Sequence, residues 1–273
     1  YVDEMPAMLN GRIAVFIGSH VQMSQSLQKA IDSFCKSRNA VVFCDHTSGY
    51  QGKYQVNFTL VNGQLNFSND LLDMDLLIHI GEVSGDTYTT KRLKPKAVWR
   101  VSTDGEVRDL FKKLVRVFEM DEQYFFTQYT AQSTGDDTYI QACNKLFEEV
   151  SEQIHDFGFC NLYVAKKMAS KLPTGCVIHF GIYNSLRTWN MFRLDPSIQA
   201  SCNVGGFGID GACSTLIGAS LADTNRLHFL CVGDLAFFYD LNAIGNRHVG
   251  NNVRIILINN GRGVEFRKKD HPG

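Results

Sequence analysis

The sequence lacks an excess of charge of either sign, since 27 basic side chains stand against 28 acidic ones and the formal net charge is −1. It also lacks a Cys-x-x-Cys pair among its eight cysteines, and no apolar run approaches the ~18 residues needed to cross a bilayer. Balanced charge and the absence of such a run argue against nucleic acid and membrane as partners. Scattered cysteines within apolar runs indicate buried free thiols in a reducing cytoplasm, rather than zinc or disulfides.

The features that are present favour an α/β fold. The chain has 273 residues, 44% of them hydrophobic, which is enough for about two globular domains. In the first half, apolar runs predict strands at 12–17, 40–44, 76–80 and 97–101, with a helix at 21–35. The second half has helices predicted at 139–154 and 161–172 and strands at 176–180, 198–202, 227–232 and 253–258. We therefore predict two Rossmann-like domains, each with a mostly parallel sheet between helices.

The polar, aperiodic segment 130–137 is the best candidate for a linker. It predicts a first domain over residues 1–129 and a second over residues 138–273. Only fifteen residues follow the apolar strand predicted at 253–258. Because such a strand usually has helices over both faces and a further strand beside it, we expect the second domain to be incomplete at its C-terminal end.

An acidic residue closes one predicted strand of the second domain. Strand 227–232 runs into Gly233 and Asp234, and a helix opens at once with Leu235 and Ala236. Open α/β sheets bind ligands at the carboxyl ends of their strands. The free N–H groups of the opening helical turn suit a diphosphate, so this turn is a candidate phosphate site.

An amide residue closes the next predicted strand. Residues 253–258 lead into Asn259 and Asn260, the latter 26 residues after Asp234. That spacing fits one right-handed crossover, which places the two strand ends about 4.8 Å apart if the strands are neighbours. A carboxylate and an amide oxygen at that separation can share one Mg²⁺, whose other ligands come from phosphate and water. Asp234 and Asn260 are therefore candidate metal ligands.

A glycine-rich turn offers a competing interpretation. Gly206, Gly208 and Gly211 form a literal G-x-G-x-x-G before a predicted helix, and Asp234 follows 23 residues later, as in dinucleotide-binding folds. The preceding segment 197–203 is too polar for the first strand of such a unit, and this interpretation leaves the amide strand end unexplained. An NAD-dependent oxidoreductase stays open as an alternative.

The glycine-rich turn, the strand end at Asp234 and the strand end at Asn260 follow one another along the chain. Together they resemble the cofactor-binding domain of the thiamine-diphosphate (ThDP) decarboxylase and carboligase superfamily. Gly-Asp-Leu at 233–235, the run 238–242 and Gly-Ile-Asp-Gly at 208–211 are most similar to the 2-succinyl-5-enolpyruvyl-6-hydroxy-3-cyclohexene-1-carboxylate synthases of menaquinone biosynthesis. The match is strongest over 181–263, and the residues before 130 resemble the family's central, non-catalytic domain. The resemblance implies an enzyme with ThDP and Mg²⁺ as cofactors, which decarboxylates a 2-oxo acid and ligates the product to an acceptor.

Carried over by position, the resemblance implies a set of cofactor and metal contacts. Asp234, the Asn260 side chain and the carbonyl of Arg262 would be Mg²⁺ ligands. Asn184 and Ser185 match positions that contact the diphosphate. The turn that begins at Gly233 and runs through Leu235 and Ala236 would also bind the cofactor.

The glycine-rich turn would contact the other end of the cofactor. Ile209 matches the apolar residue that holds the cofactor in its bent shape. The carbonyl of Phe207, beside Gly208, matches the acceptor for the 4′-amino group. Neither role is a catalytic one.

Some positions depart from the family pattern. Val204 and Trp189 stand where the substrate-clamping arginines are expected, and Arg262 occupies a glycine position. Since arginine is the side chain that clamps carboxylates bidentately, we expect a smaller or less charged acceptor than isochorismate. Arg187 is the nearby candidate to replace one of the two arginines, but a separation of two residues from Trp189 on a helix places it on another face.

The family's activating glutamate belongs to a pyrimidine-binding domain that is absent from this sequence. We therefore expect no catalytic residue in this chain and no turnover by the chain alone. The resemblance implies that the cofactor is shared with the pyrimidine-binding domain of the same or a neighbouring subunit, in a homodimer or homotetramer. A non-catalytic module that keeps the fold is the remaining alternative.

Overall fold

The computed structural model describes residues 11–20, 23–64, 69–132, 135–154, 157–206, 208–261 and 263. Backbone contacts divide these residues into two units, with the division between residues 154 and 157. Within the described ranges, no helix combines the length and the apolar character needed to cross a membrane.

The first unit is built on a six-stranded parallel sheet with the order β3-β2-β1-β4-β5-β6. Its strands are β1 (Ile13–Ile17), β2 (Val41–Cys44), β3 (Gln55–Val56), β4 (Asp73–Ile80), β5 (Lys94–Ser102) and β6 (Leu114–Glu119). Its helices are α1 (Gln25–Arg38), α2 (Thr59–Asn62), α3 (Thr87–Thr90), α4 (Glu122–Tyr129) and α5 (Thr138–Glu152). This strand order is that of a Rossmann fold, and the chain reverses its direction of winding between β1 and β4.

The second unit has a four-stranded parallel sheet with the order β10-β9-β7-β8. Its strands are β7 (Val177–Phe180), β8 (Gln199–Cys202), β9 (His228–Gly233) and β10 (Val253–Ile258). Its helices are α6 (Asn161–Ala169), α7 (Asn184–Trp189), α8 (Ala212–Ala222) and α9 (Asp234–Tyr239). The predicted fold class, two α/β units with parallel sheets, is confirmed.

Helix α1 begins later and ends later than the sequence pattern predicts. The Ser24 hydroxyl accepts a hydrogen bond from the Leu27 N–H at 3.1 Å, which caps the helix at that point. At the other end Asn39 adopts the left-handed conformation, with φ of 48°, and its N–H donates to the Cys35 carbonyl. The two caps, rather than the apolar periodicity, set the ends of the helix.

Helix α5 lies in the first unit, although the sequence analysis assigns it to the second domain. The Tyr139 hydroxyl donates to the Leu71 carbonyl at 2.6 Å, and the Asn39 side chain donates to the Thr138 hydroxyl at 2.8 Å. The polar segment before α5 therefore connects two helices of one unit.

Strand β10 pairs with β9 as predicted, with Ile258 opposite Gly233. It is not the buried strand that its apolar sequence suggests, because it forms the edge of the sheet and none of its residues is fully buried. Val253, Ile255 and Leu257 pack on a core formed with α8 and β9. The opposite face of β10 is therefore only partly covered.

Candidate functional site

A cavity of about 410 Å³ lies at the carboxyl ends of β7, β9 and β10. Its wall is formed by the turn after β7, the glycine-rich turn before α8, the start of α9 and the end of β10. The residues are Gly181–Ser185, Asn203, Gly208–Asp210, Gly233–Ala236, Ile258 and Asn260, with Asn161, Phe180, Ala212 and Gly263. The carboxyl edge is where open α/β sheets bind ligands. The structure thus brings the described predicted site residues to one cavity.

Asp234 joins the ends of two neighbouring strands. It is the first residue of α9 and is only 8% exposed. One carboxylate oxygen, Oδ1, accepts from the Leu235 N–H at 2.8 Å, and Oδ2 accepts from the Gly261 N–H at 2.6 Å. Each oxygen keeps a second lone pair, so the carboxylate is oriented by the backbone and retains capacity for a cation.

Asn184 and Ser185 occupy the first turn of α7. The residue before them, Tyr183, has a φ of 64°, in the left-handed region that favours glycine. Such strained positions occur where the surrounding structure holds a binding site in shape. The Arg187 side chain donates to the Asn184 side-chain oxygen at 3.1 Å. Arg187 thus positions an amide of the cavity wall, and its side chain is not part of that wall.

The glycine-rich turn is fixed by a residue that the sequence analysis did not single out. The Asp240 carboxylate accepts from the Ser214 N–H at 2.7 Å and from the Ser214 hydroxyl at 2.9 Å, in the first turn of α8. Gly211, immediately before α8, has a φ of 78°. The only sequence signal for Asp240 was the run 238–242, in which it was not assigned a role. Ile209 lines the cavity, whereas Phe207 lies outside the described residues.

The G-x-G-x-x-G match follows an edge strand. It comes after β8, which is the outermost strand on its side of the sheet and is largely exposed. In dinucleotide-binding folds the corresponding glycine-rich turn follows the central first strand. This position does not favour the NAD alternative.

The two positions that match the clamping arginines are core side chains. Trp189 is 1% exposed, and its ring lies 5.6 Å from that of Phe180. Val204 is 5% exposed. Neither is part of the cavity wall.

The described part of the wall contains two acidic side chains, Asp210 and Asp234, and neither lysine nor arginine. In the described ranges, no three His, Cys, Asp or Glu side chains converge as a metal cluster. A phosphate group in this cavity would therefore need a cation to balance the charge. One carboxylate and one amide are a suitable donor set for Mg²⁺, which takes few protein ligands and completes its shell with phosphate and water oxygens. Arg262 lies outside the described residues.

The fold and the cavity define an α/β domain whose cavity, at the carboxyl ends of parallel strands, is lined by carboxylate and amide side chains. The comparisons with known proteins are more specific. The chain is 34% identical to the 2-succinyl-5-enolpyruvyl-6-hydroxy-3-cyclohexene-1-carboxylate synthase of Bacteroides thetaiotaomicron over 191 residues. This alignment covers 67% of this chain and 34% of that enzyme. No family model matches the chain.

Two further synthases of the same name match more of the chain. The enzyme of Flavobacterium johnsoniae is 26% identical over 281 aligned positions, covering 97% of this chain and 50% of the relative. That of Desulfotalea psychrophila is 28% identical over 251, covering 90% and 46%. The chain therefore spans about half the length of these relatives. These similarities confirm the resemblance to this enzyme family that the motifs predict.

Proposed function

We propose that the complete protein containing this chain is a ThDP- and Mg²⁺-dependent carboligase. It would decarboxylate a 2-oxo acid and join the product to an acceptor. The single observation that carries the proposal is the position of Asp234 and Asn260, at the ends of neighbouring strands and on the wall of one cavity. The similarity to synthases over 67% of the chain supports the choice of reaction class.

In this proposal the strand ends hold the metal and the diphosphate. Asp234 and the Asn260 side chain would bind Mg²⁺, with the carbonyl of Arg262 as a third ligand. The first turns of α7 and α9 supply Asn184, Ser185 and N–H groups to the diphosphate. The described wall has no basic side chain, which supports the proposal that a cation, rather than lysine or arginine, would balance the charge of the diphosphate.

The glycine-rich turn orients the cofactor. Ile209 lines the cavity beside Gly208 and would support the bent conformation, and the Phe207 carbonyl would accept a hydrogen bond from the 4′-amino group. When bound, ThDP supplies the carbanion chemistry of decarboxylation and ligation. The residues of this chain bind and orient it, while a glutamate of a pyrimidine-binding domain would activate it. A homodimer or homotetramer would bring the two domains together.

For the substrates, we propose an acceptor that is smaller or less charged than isochorismate. The positions of the two clamping arginines hold Val204 and Trp189, both buried in the core. Arg187 is the arginine nearest in sequence to Trp189, and its side chain donates a hydrogen bond to the Asn184 side chain. Loss of two charge-assisted contacts weakens binding by roughly two to four orders of magnitude if the losses are additive.

The cytoplasm is the proposed location of the protein. None of its eight cysteines forms a disulfide in the part of the chain that the structure describes; seven are buried and Cys160 is exposed. Burial raises the pKa of the Cys231 thiol to about 12. Buried thiols that form no disulfide suit a reducing compartment.

A coupled assay of the complete protein tests the proposal. With ThDP, Mg²⁺ and 2-oxoglutarate, we expect CO₂ release and ligation to a small aldehyde or enone acceptor, and slower ligation to isochorismate. A kcat/KM of order 10⁴ M⁻¹s⁻¹ or above with isochorismate would overturn the acceptor assignment but keep the reaction class. Absence of CO₂ release from a panel of 2-oxo acids, with cofactor bound, would favour the non-catalytic module.

A further inference from the structure

The first unit has two surface features that the proposed reaction does not use. A second cavity, of about 420 Å³, lies at the carboxyl ends of β1, β4 and β5. The buried Arg100 lines it and is ion-paired with Glu106 at 3.7 Å, so the charge of this arginine already has an acidic partner. The second feature is a group of basic and apolar side chains along the edge strand β6, where such partners are missing among the described residues.

Strand β6 leaves a row of backbone groups open, because it forms one edge of the six-stranded sheet. The Met120 N–H donates to the Ser102 carbonyl at 3.1 Å, at the end of the pairing between β6 and β5. The direction of the backbone groups alternates along a strand, so Val117 and Glu119 point their N–H and carbonyl groups away from β5. Open groups of this kind are a template for pairing with another strand.

The two faces of β6 present different side chains at this edge. The Arg116 guanidinium lies 5.8 Å from the centre of the Phe118 ring, and Phe118 packs on Phe125 of α4 at 5.1 Å. Arg116 and Phe118 therefore share the face that α4 covers. Because successive side chains alternate, Val117 lies on the opposite face. A strand added at this edge would meet a basic side chain on one face and an apolar one on the other.

A connection without a helix covers the face of Val117. Parallel strands are usually joined through a helix, but residues 103–113, which join β5 to β6, form turns and no helix. The ring of Phe111, in this connection, lies 6.2 Å from that of His79. His79, Arg100 and Val117 are neighbours in the strand register, which places the connection on the face of Val117.

The connection runs back along β6. A Cβ on Gly105 would lie 3.1 Å from the Glu119 carboxylate, at the carboxyl end of the strand. Just before the amino end, the Asp109 carboxylate accepts from the Lys113 N–H at 2.8 Å. Val107 lies between these two points of attachment, so the exposed side chains of the connection are held beside the strand.

The surface formed by β6 and this connection is both apolar and basic. Three apolar side chains are exposed by 77%, 43% and 58%: Val107, Leu110 and Val115. Three exposed cations have no carboxylate partner among the described residues: Lys112, Lys113 and Arg116. Charges alone can protect an edge strand from pairing, but protection does not explain the exposed apolar side chains beside them. Apolar side chains grouped within a polar rim are typical of an interaction surface.

We propose that the edge of β6 docks an acidic, extended segment of a partner polypeptide. The segment adds to the sheet beside β6 and pairs with the open backbone groups of Val117 and Glu119. Its acidic side chains face the three cations, and its alternate, apolar side chains cover the exposed part of the connection. A second copy of β6 fits less well because it would bring three further cations, and a helix cannot pair with the open backbone groups. The site does not rest on the proposed function and needs no chemical step.

Titration of the complete protein with a labelled heptapeptide of alternating glutamate and valine, followed by fluorescence anisotropy, tests the proposal. We expect saturable binding that weakens as salt is raised. Two matched peptides should bind at least about tenfold more weakly, one with lysine in place of glutamate and one with proline in place of its central valine. If the acidic peptide does not bind at concentrations up to about 1 mM, or if either matched peptide binds as tightly, the proposal is wrong.

Variants of β6 assign the peptide to this edge. Val117→Pro removes one N–H of the open edge, whereas Val117→Ala keeps it, so the proline variant should bind at least about tenfold more weakly than the alanine variant. Charge reversal at two exposed positions, Lys113→Glu with Arg116→Glu, should transfer the preference to the lysine–valine peptide. The same charge change on α1, Lys29→Glu with Lys36→Glu, is the matched control and should leave the preference unchanged.

Other occupants of the edge predict different results. If the two Val117 variants bind the peptide equally, the peptide does not pair as a strand and the proposal is wrong. If Val117→Pro does not fold, the transfer of preference decides instead. Self-association that is lost in Val117→Pro but kept in Val117→Ala would show that a second copy occupies the edge. Binding to phosphatidylserine vesicles as tight as peptide binding, and equal in the two variants, would assign the surface to a membrane. Either result contradicts the proposal.

Discussion

The two units use similar apolar strands in different ways. All five residues of β1 are fully buried, whereas none of the six residues of β10 is. The cause is position, because β1 lies between β2 and β4 at the centre of its sheet and β10 forms an edge beside β9. An apolar run therefore predicts a strand, but its burial depends on neighbours that the run itself does not reveal.

The two cavities have the same position in their sheets but different charged side chains. Both lie at the carboxyl ends of parallel strands, as the fold dictates. The cavity of the first unit is lined by the buried Arg100, while the described wall of the second contains acidic side chains and neither lysine nor arginine. The fold sets where a ligand binds, and the side chains at the strand ends decide which ligand it is.

The largest effect should come from removing the charge of Asp234. In Asp234→Asn the amide oxygen can still accept one of the two backbone hydrogen bonds, but the NH₂ group cannot accept the other, and the carboxylate ligand of Mg²⁺ is lost. We expect Mg²⁺-dependent ThDP affinity in the complete protein to fall by more than about 100-fold, measured by calorimetry. Asn260→Ala should weaken it less, since an amide is a neutral ligand.

The matched control for this change is Asp210→Asn, which removes the other acidic side chain of the described wall. Its ThDP affinity should stay within a few-fold of wild type. If Asp210→Asn lowers the affinity as much as Asp234→Asn does, general electrostatics rather than metal ligation explains the loss.

The contrast in burial predicts unequal costs for one substitution. Ile78, on β4, is 0% exposed, and Ile78→Ala should destabilise the first unit by about 2–5 kcal/mol. Ile256, half-buried on β10, should cost about 1 kcal/mol when changed to alanine. Each unit holds one of the two tryptophans, Trp99 and Trp189, so fluorescence in single-tryptophan backgrounds follows each unit in denaturant. Equal costs would show that β10 is covered in the complete protein.

Stability of the second unit should fall below neutral pH because of His179. Burial lowers the pKa of His179 from 6.5 to about 4, its Nδ1 pairs with the Ser201 hydroxyl, and its Nε2 is buried without a partner. Between those pKa values the unfolded chain binds a proton that the folded unit does not, so stability rises with pH and levels off above 6.5. We expect about 2 kcal/mol less stability at pH 5 than at pH 8.

The measurement is denaturant unfolding across pH, followed by Trp189 fluorescence. His179→Gln should remove most of this pH dependence, although it changes the stability itself. An unaltered slope in that variant would assign the effect to other groups.

The smallest effect concerns Asp240, which fixes the start of α8 through Ser214. Loss of such a cap costs about 1 kcal/mol, so Asp240→Ala should weaken ThDP by about fivefold without removing the Mg²⁺ requirement. Asp223→Ala, at the other end of α8, is the control and should bind ThDP normally. A complete loss of binding in Asp240→Ala would make it a cofactor ligand rather than a positioning residue.

Most of the strands that the sequence predicts have continuous apolar runs, and the polar strand β8 is the exception. The sequence does not predict strand β6, because Arg116 and Glu119 interrupt the apolar residues of Leu114–Glu119, nor β3, because it has only two residues. The pairing of β9 with β10 was predictable, since a single crossover joins them.

Some residues of the candidate site can be predicted from the sequence and others cannot. Asp234 and Asn260 follow strand ends, where chemistry can be predicted from position. Asp240 caps a helix that is distant from it in sequence, and Tyr183 acts through its positive φ. Neither effect leaves a local pattern in the sequence. The cavity of the first unit is lined by Arg100, which lies inside a strand and carries no motif.

The most direct test of the central claim is calorimetric titration of the complete wild-type protein with ThDP, with and without Mg²⁺, and with NAD. ThDP should bind only when Mg²⁺ is present, and NAD should not bind. If removal of Mg²⁺ does not change the binding of ThDP, or if NAD binds in place of ThDP, the assignment of Asp234 and Asn260 as ligands of a Mg²⁺ ion that holds the diphosphate is contradicted.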